Sequence, residues 1–140
     1  MLRTAQKTVL VAEDDIADSR CLEEIIGQLD KSIKVDLVSN GPDVLYYLAR
    51  RRPPYLPCLV ILDFGLPALN GVEVLGALRT ERRYAEIPKV IWSSLLNNQL
   101  TKLCIEAGAA FCFPKPERAS ELKVIARHML ELCHLAARVD

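Results

Sequence analysis

Net charge is the first thing this chain lacks: 18 Lys and Arg stand against 18 Asp and Glu. Proteins drawn to DNA or RNA by their overall field carry a basic excess, so no electrostatic footprint for nucleic acid is visible and none is expected as a direct partner. Long apolar runs are missing as well. No stretch approaches the roughly 20 residues of a membrane span, and the run Val9 to Ala12 ends too abruptly at Glu13 to be a signal-peptide core. No membrane partner is expected, and the chain reads as cytoplasmic. The five cysteines, Cys21, Cys58, Cys104, Cys112 and Cys133, are scattered, odd in number and never spaced CxxC. That pattern suggests neither a disulfide framework nor a zinc site, and reduced, buried thiols are expected. Internal repeats, low-complexity segments and an interdomain linker are also absent. With 140 residues and 51% hydrophobic content, one core can be buried but not two, so residues 1–140 are expected to form a single domain.

What is present is a recurrence of short apolar runs, each closed by charge. Val9-Leu10-Val11-Ala12 is followed by Glu13 and Asp14, Leu59-Val60-Ile61-Leu62 by Asp63, and Ala110 to Phe113 by Pro114 and Lys115. Short uncharged runs are expected of strands buried on both faces of a parallel sheet. Ligands of such sheets bind beyond the carboxyl ends of the strands, where these charged residues fall. Carboxylates gathered there repel one another unless a cation neutralises them, which implies a divalent metal beside a fixed positive charge.

Between the runs lie helical periods: Leu22, Ile25, Ile26 and Leu29; Val44, Leu45, Tyr47 and Leu48; Val72, Leu75 and Leu78; Leu100, Leu103, Cys104 and Ala107; Leu122, Ile125, Ala126, Met129 and Cys133. With Ile33 to Val38 and Lys89 to Trp92 as further strands, the pattern predicts five βα units. Right-handed crossovers then give an α/β doubly wound parallel sheet with helices on both faces, and of the common doubly wound orders the flavodoxin-like 2-1-3-4-5 is expected. Pro114 lacks a backbone donor, which places the last strand at a sheet edge. The basic run Arg50-Arg51-Arg52, just before Pro53-Pro54, reads as a solvated helix end where the dipole favours cations.

In VLVAED (Val9 to Asp14), LDFGLPALNG (Leu62 to Gly71), VIWSS (Val90 to Ser94) and GAAFCFPKP (Gly108 to Pro116), the chain resembles the receiver domain of two-component response regulators. The stretch Ala17 to Arg20 and the long loop before Cys58 are similar to small single-domain regulators associated with bacteriophytochromes. The resemblance implies that Asp63 is the phosphoacceptor, taking a phosphoryl group from a sensor histidine kinase or histidine phosphotransfer protein. It further implies Mg²⁺ held by Glu13, Asp14, Asp63 and the Gly65 carbonyl, with Lys115 and Ser93 contacting the transferred group. The protein would then be a signalling phosphoacceptor rather than an enzyme. With 24 residues after Pro116 taken up by the last helix, output by contact with a downstream protein or by homodimerisation is expected.

Other polar residues receive plainer roles. Asp15 is expected to support the start of the following helix, and Asp18 and Asp36 to be ordinary surface carboxylates. His128 and His134 are six apart on a helix, about 240° around it, and are read as partly exposed helix residues. Trp92 reads as core. Two departures from the family pattern stand out. Cys112 occupies the position of an aromatic switch residue, with Phe111 and Phe113 on the opposite strand face. Gly65 and Leu95 occupy the positions whose side chains tune hydrolysis of the phosphorylated form, and neither can orient a water. The competing readings fit less well: a kinase needs more than 140 residues, a flavin phosphate would be repelled by Glu13 and Asp14, and a dehalogenase-type hydrolase needs DxD where residue 65 is Gly. The remaining alternative is a receiver-like interaction module that works without phosphorylation.

Overall fold

The computed structural model describes residues 6–137, with side chains described up to residue 134. Strands β1 (Thr8–Ala12), β2 (Lys34–Val38), β3 (Leu59–Leu62), β4 (Lys89–Ser93) and β5 (Phe111–Pro114) alternate with helices α1 (Ile16–Leu29), α2 (Gly41–Ala49), α3 (Gly71–Arg79), α4 (Asn98–Ala107) and α5 (Ala119–Ala137). The sheet is parallel throughout, in the expected order β2-β1-β3-β4-β5. Among the described residues no helix is long and apolar enough to cross a membrane.

Strand alternation divides the core in two. Leu10, Ala12, Val60, Leu62 and Ile91 pack with residues of α2, α3 and α4, whereas Val9, Val11, Leu59, Ile61, Val90 and Trp92 pack with α1 and α5. Every residue of β3 is fully buried, as its unbroken apolar sequence requires, each contributing about 1.5–3 kcal/mol. Trp92 is in the core at 2% exposure, as expected.

The connections at the carboxyl end of the sheet are fixed by caps. Asp15, Asn40, Asn70 and Asn97 each accept a backbone N–H from the first turn of the helix they precede, and Asn70 forms a reciprocal capping box with Glu73. Gly71 is required by close approach, since a Cβ there would lie 2.9 Å from Ile91 Cδ1 and 3.1 Å from Phe64 Cα. Its N–H donates to the Phe64 carbonyl at 2.8 Å, holding the loop after Asp63 against α3. At the sheet edge Pro114 stands opposite Ser93 with its donorless nitrogen on the side away from β4, and the Ser93 carbonyl accepts from the Lys115 N–H at 3.1 Å. The parallel register thereby carries Lys115 into the ladder beside β4.

The cysteine expectation is corrected. Cys58 and Cys133 are joined by a disulfide, and Cys21 is exposed, while Cys104 is a buried thiol and Cys112 a half-buried one. The bonded pair is separated by 75 residues, and the topology alone brings the approach to β3 and the later turns of α5 into the same α1/α5 core. Sequence spacing carries no trace of such a pairing. Arg50 caps the end of α2 as the basic run predicted, and the connection beyond it contains one short turn of 3-10 helix, Pro53–Tyr55.

Candidate functional site

The parallel ladder runs right up to the charged residues. Asp63 N–H donates to the Ala12 carbonyl at 3.0 Å, and Glu13 N–H to the Val38 carbonyl at 3.0 Å, so both side chains leave the sheet at adjacent strand ends. Glu13, Asp14 and Asp63 each offer an oxygen within 4.8 Å of the others. Their surroundings differ: Glu13 is 3% exposed, Asp63 half-buried and Asp14 exposed. Burial pushes the Glu13 carboxyl up to about 7; Lys115 works against that shift and Asp63 adds to it.

Lys115 ties the group together. Its ammonium donates to Glu13, to Asp18 Oδ2 at 2.9 Å and to Asp63 Oδ2 at 3.3 Å, and stands 4.9 Å from the Trp92 ring centroid. Burial opposes its charge, yet the bonds to Glu13 and Asp18 and the nearby Asp63 carboxylate outweigh that and hold Lys115 above the usual lysine range. The expectation for Asp18 is therefore corrected: it is no ordinary surface carboxylate but a partner of Lys115. Asp15 caps α1 with its side chain and, through its N–H, donates to Glu13 Oε2 at 3.1 Å, and so turns Asp18 in the first turn toward the site. Asp36 also has a specific role, accepting from the Tyr47 hydroxyl at 2.6 Å.

The remaining candidates lie around this centre. Ser93 is buried at the end of β4, its hydroxyl accepting from the Leu95 N–H at 3.2 Å, with no bond to the acidic group among the described residues. Gly65 is exposed; its N–H reaches Asp63 Oδ1 at 3.4 Å, and no atom lies within 4 Å of where a Cβ would stand. Cys112 packs against the α2–α4 core, where burial pushes its thiol up to about 11 and Cys104 adds to the shift. Phe113 packs on the opposite side of the sheet, stacked at 5.9 Å on Phe111, which is 53% exposed.

Three carboxylate oxygens this close, with no sulfur or imidazole among them, match the hard-oxygen preference of Mg²⁺ or Mn²⁺ rather than a softer metal. The raised Glu13 carboxyl fits as well, because a cation among the oxygens would favour the charged form that burial, and to a lesser degree Asp63, disfavours. A fixed ammonium beside such a group can hold an anion that is itself drawn to the metal.

The chain is similar to several known proteins. A two-component response regulator of Arabidopsis thaliana is 29% identical over 132 residues, covering 87% of this chain and 84% of the relative. A protein-glutamate methylesterase/protein-glutamine glutaminase of Clostridium acetobutylicum is 26% identical over 130 residues, and the match spans only 36% of that longer protein. Among solved structures, the phosphorylated cyanobacterial phytochrome response regulator RcpA superposes with a TM-score of 0.82 at 25% identity, covering 93% of this chain and 95% of its own. The Mn²⁺-bound response regulator Rcp1 gives 0.76 at 22% identity over 87% and 90%, and a response regulator in red light signalling of R. palustris gives 0.79 at 24% over 89% and 92%. These last two show likeness of fold. The response regulator receiver domain family matches residues 9–127, and the chain therefore belongs to that family, whose members are signalling phosphoacceptors.

Proposed function

We propose that this protein is a stand-alone receiver, residues 1–140 forming one domain, that accepts a phosphoryl group from a histidine kinase or phosphotransfer protein onto Asp63. The observation that carries the reading is the meeting of Glu13, Asp14 and Asp63 within 4.8 Å, with Lys115 bonded to Glu13 and Asp63 at once. In the transfer an Asp63 oxygen forms a bond to phosphorus as the phosphorus–nitrogen bond of phosphohistidine breaks. Glu13, Asp14, Asp63 and the Gly65 carbonyl would hold Mg²⁺, which when bound neutralises charge on the phosphoryl oxygens. Lys115 keeps its proton and supplies a point charge to the same group. Ser93, released from Leu95, would hydrogen-bond it after transfer.

Output would follow through contact with a downstream protein or a second copy, in the cytoplasm. Cys112 lacks a ring able to swing inward, so the reading places most of the response on Ser93 and Lys115. The test is labelling by a small phosphodonor with Mg²⁺. A hydroxylamine-labile phosphoryl label is expected on the parent and none on Asp63→Asn. An unlabelled parent would favour the alternative, an interaction module that works without phosphorylation.

A further inference from the structure

Arg50, Arg51 and Arg52 follow α2, and Arg82 and Arg83 open a turn of 3-10 helix before β4. The fold presses the two groups into one patch: Arg83 Nη2 donates to the Leu48 carbonyl at 3.5 Å and to the Arg51 carbonyl. Five of the chain's 18 basic residues thus share a surface near the amino ends of β3 and β4, away from the acidic site. Among the described residues the one carboxylate in ion-pair range of these arginines is Asp36, 3.9 Å from Arg51 Nη2. Glu81 and Glu86 flank Arg82 and Arg83 in sequence but pair with none of the five arginines, so positive charge exceeds negative on this surface.

The side chains are also held in place. Arg51 lies 3.3 Å from the Tyr47 ring centroid, Arg50 5.1 Å from that of Tyr46 and Arg83 5.2 Å from that of Tyr84. Arg52 and Arg82 are exposed and make no side-chain hydrogen bond among the described residues. Fixed planar forks beside open ones suit bidentate pairing with oxyanions. A single strand of nucleic acid needs a row of free aromatic platforms, and of the tyrosines near the patch Tyr46, Tyr47 and Tyr84 already carry guanidinium groups, which leaves the exposed Tyr55 alone. A membrane surface needs an aliphatic anchor beside the charge, and the exposed large aliphatic side chains Ile16, Leu95, Leu103, Ile105 and Val124 lie on other elements.

We infer that the Arg50–Arg52/Arg82–Arg83 patch docks an acidic segment of a partner protein, one that presents several Asp or Glu carboxylates. This is a second contact surface, separate from the phosphoacceptor site.

The probe is a fluorescently labelled hexaglutamate peptide titrated with the full chain. Saturable binding is expected, weakened about tenfold or more in the double variant Arg52→Gln/Arg82→Gln. The charge-matched control Lys31→Gln/Lys102→Gln should stay within about twofold of the parent, since screening confines the attraction to the patch. Asp63→Asn should bind as the parent does, so failure here is distinguishable from failure of the phosphoacceptor reading. Absence of binding by the parent, equal loss in both double variants, or tighter binding to an oligothymidine or to phosphatidylserine vesicles would overturn the inference.

Discussion

Lys115 donates to carboxylates that leave the sheet at two different strands and to one on a helix, and no single element could hold it so. Two positions near the site carry no polar side chain. Gly65 offers no side chain to a hydrolytic water, and Leu95, 67% exposed, offers an apolar one. A phosphoryl group on Asp63 is therefore expected to be long-lived, because the attacking water loses its orientation. Space at position 65 is open, so Gly65→Asn should be accommodated and should hasten loss of the phosphoryl group by about tenfold. Decay followed after removal of the phosphodonor checks this, and an unchanged half-life would refute it. Cys112 gives a second test at the same scale. With its thiol pushed up to about 11 by burial and by Cys104, only about 0.1% is thiolate at pH 8. Alkylation should reach the exposed Cys21 first, and the rate at Cys112 should climb about tenfold per pH unit until near 11. Mass mapping showing Cys112 modified as fast as Cys21 at pH 8 would contradict that burial.

Among the elements, α5 is bound to the sheet in two ways. Leu122, Ala126, Met129, Leu130 and Cys133 bury its inner stripe, and the Cys58–Cys133 bond ties it covalently to the approach to β3. Closing a loop of this sequence separation, 75 residues, restricts the unfolded chain and stabilises the fold by about 4 kcal/mol. Urea unfolding with and without reductant should therefore show a lower midpoint in the reduced protein, and the double variant Cys58→Ser/Cys133→Ser should lose that dependence on reductant. Coincident curves for the parent would remove the disulfide from the account. The other elements follow their sequence closely. The unbroken run of β3 makes it fully buried, the Asn residues before α2, α3 and α4 cap them, and Pro114 confines β5 to an edge.

For the whole molecule, element types and the meeting of Glu13, Asp14, Asp63 and Lys115 were legible because each is written locally, as an apolar run and the charge that closes it, whereas the strand order was legible only as that of a common doubly wound fold. What escaped the sequence is created by tertiary proximity. Asp18 joins Lys115 only because the cap at Asp15 sets the direction of α1, and Cys58 meets Cys133 only because β3 and α5 share one face of the sheet. Likewise the helix end at Arg50 gains Arg83 across the fold. Charge is thereby divided between two ends of a neutral chain, acidic where the strands finish and basic where β3 and β4 begin. The central claim concerns the acidic end, and reductive trapping tests it most directly. After exposure to acetyl phosphate, borohydride converts an acyl phosphate to an alcohol, and peptide mass mapping locates it. The account predicts one converted residue, Asp63, formed with Mg²⁺ and lost with chelator; conversion at another carboxylate, or equal conversion without the metal, would contradict it.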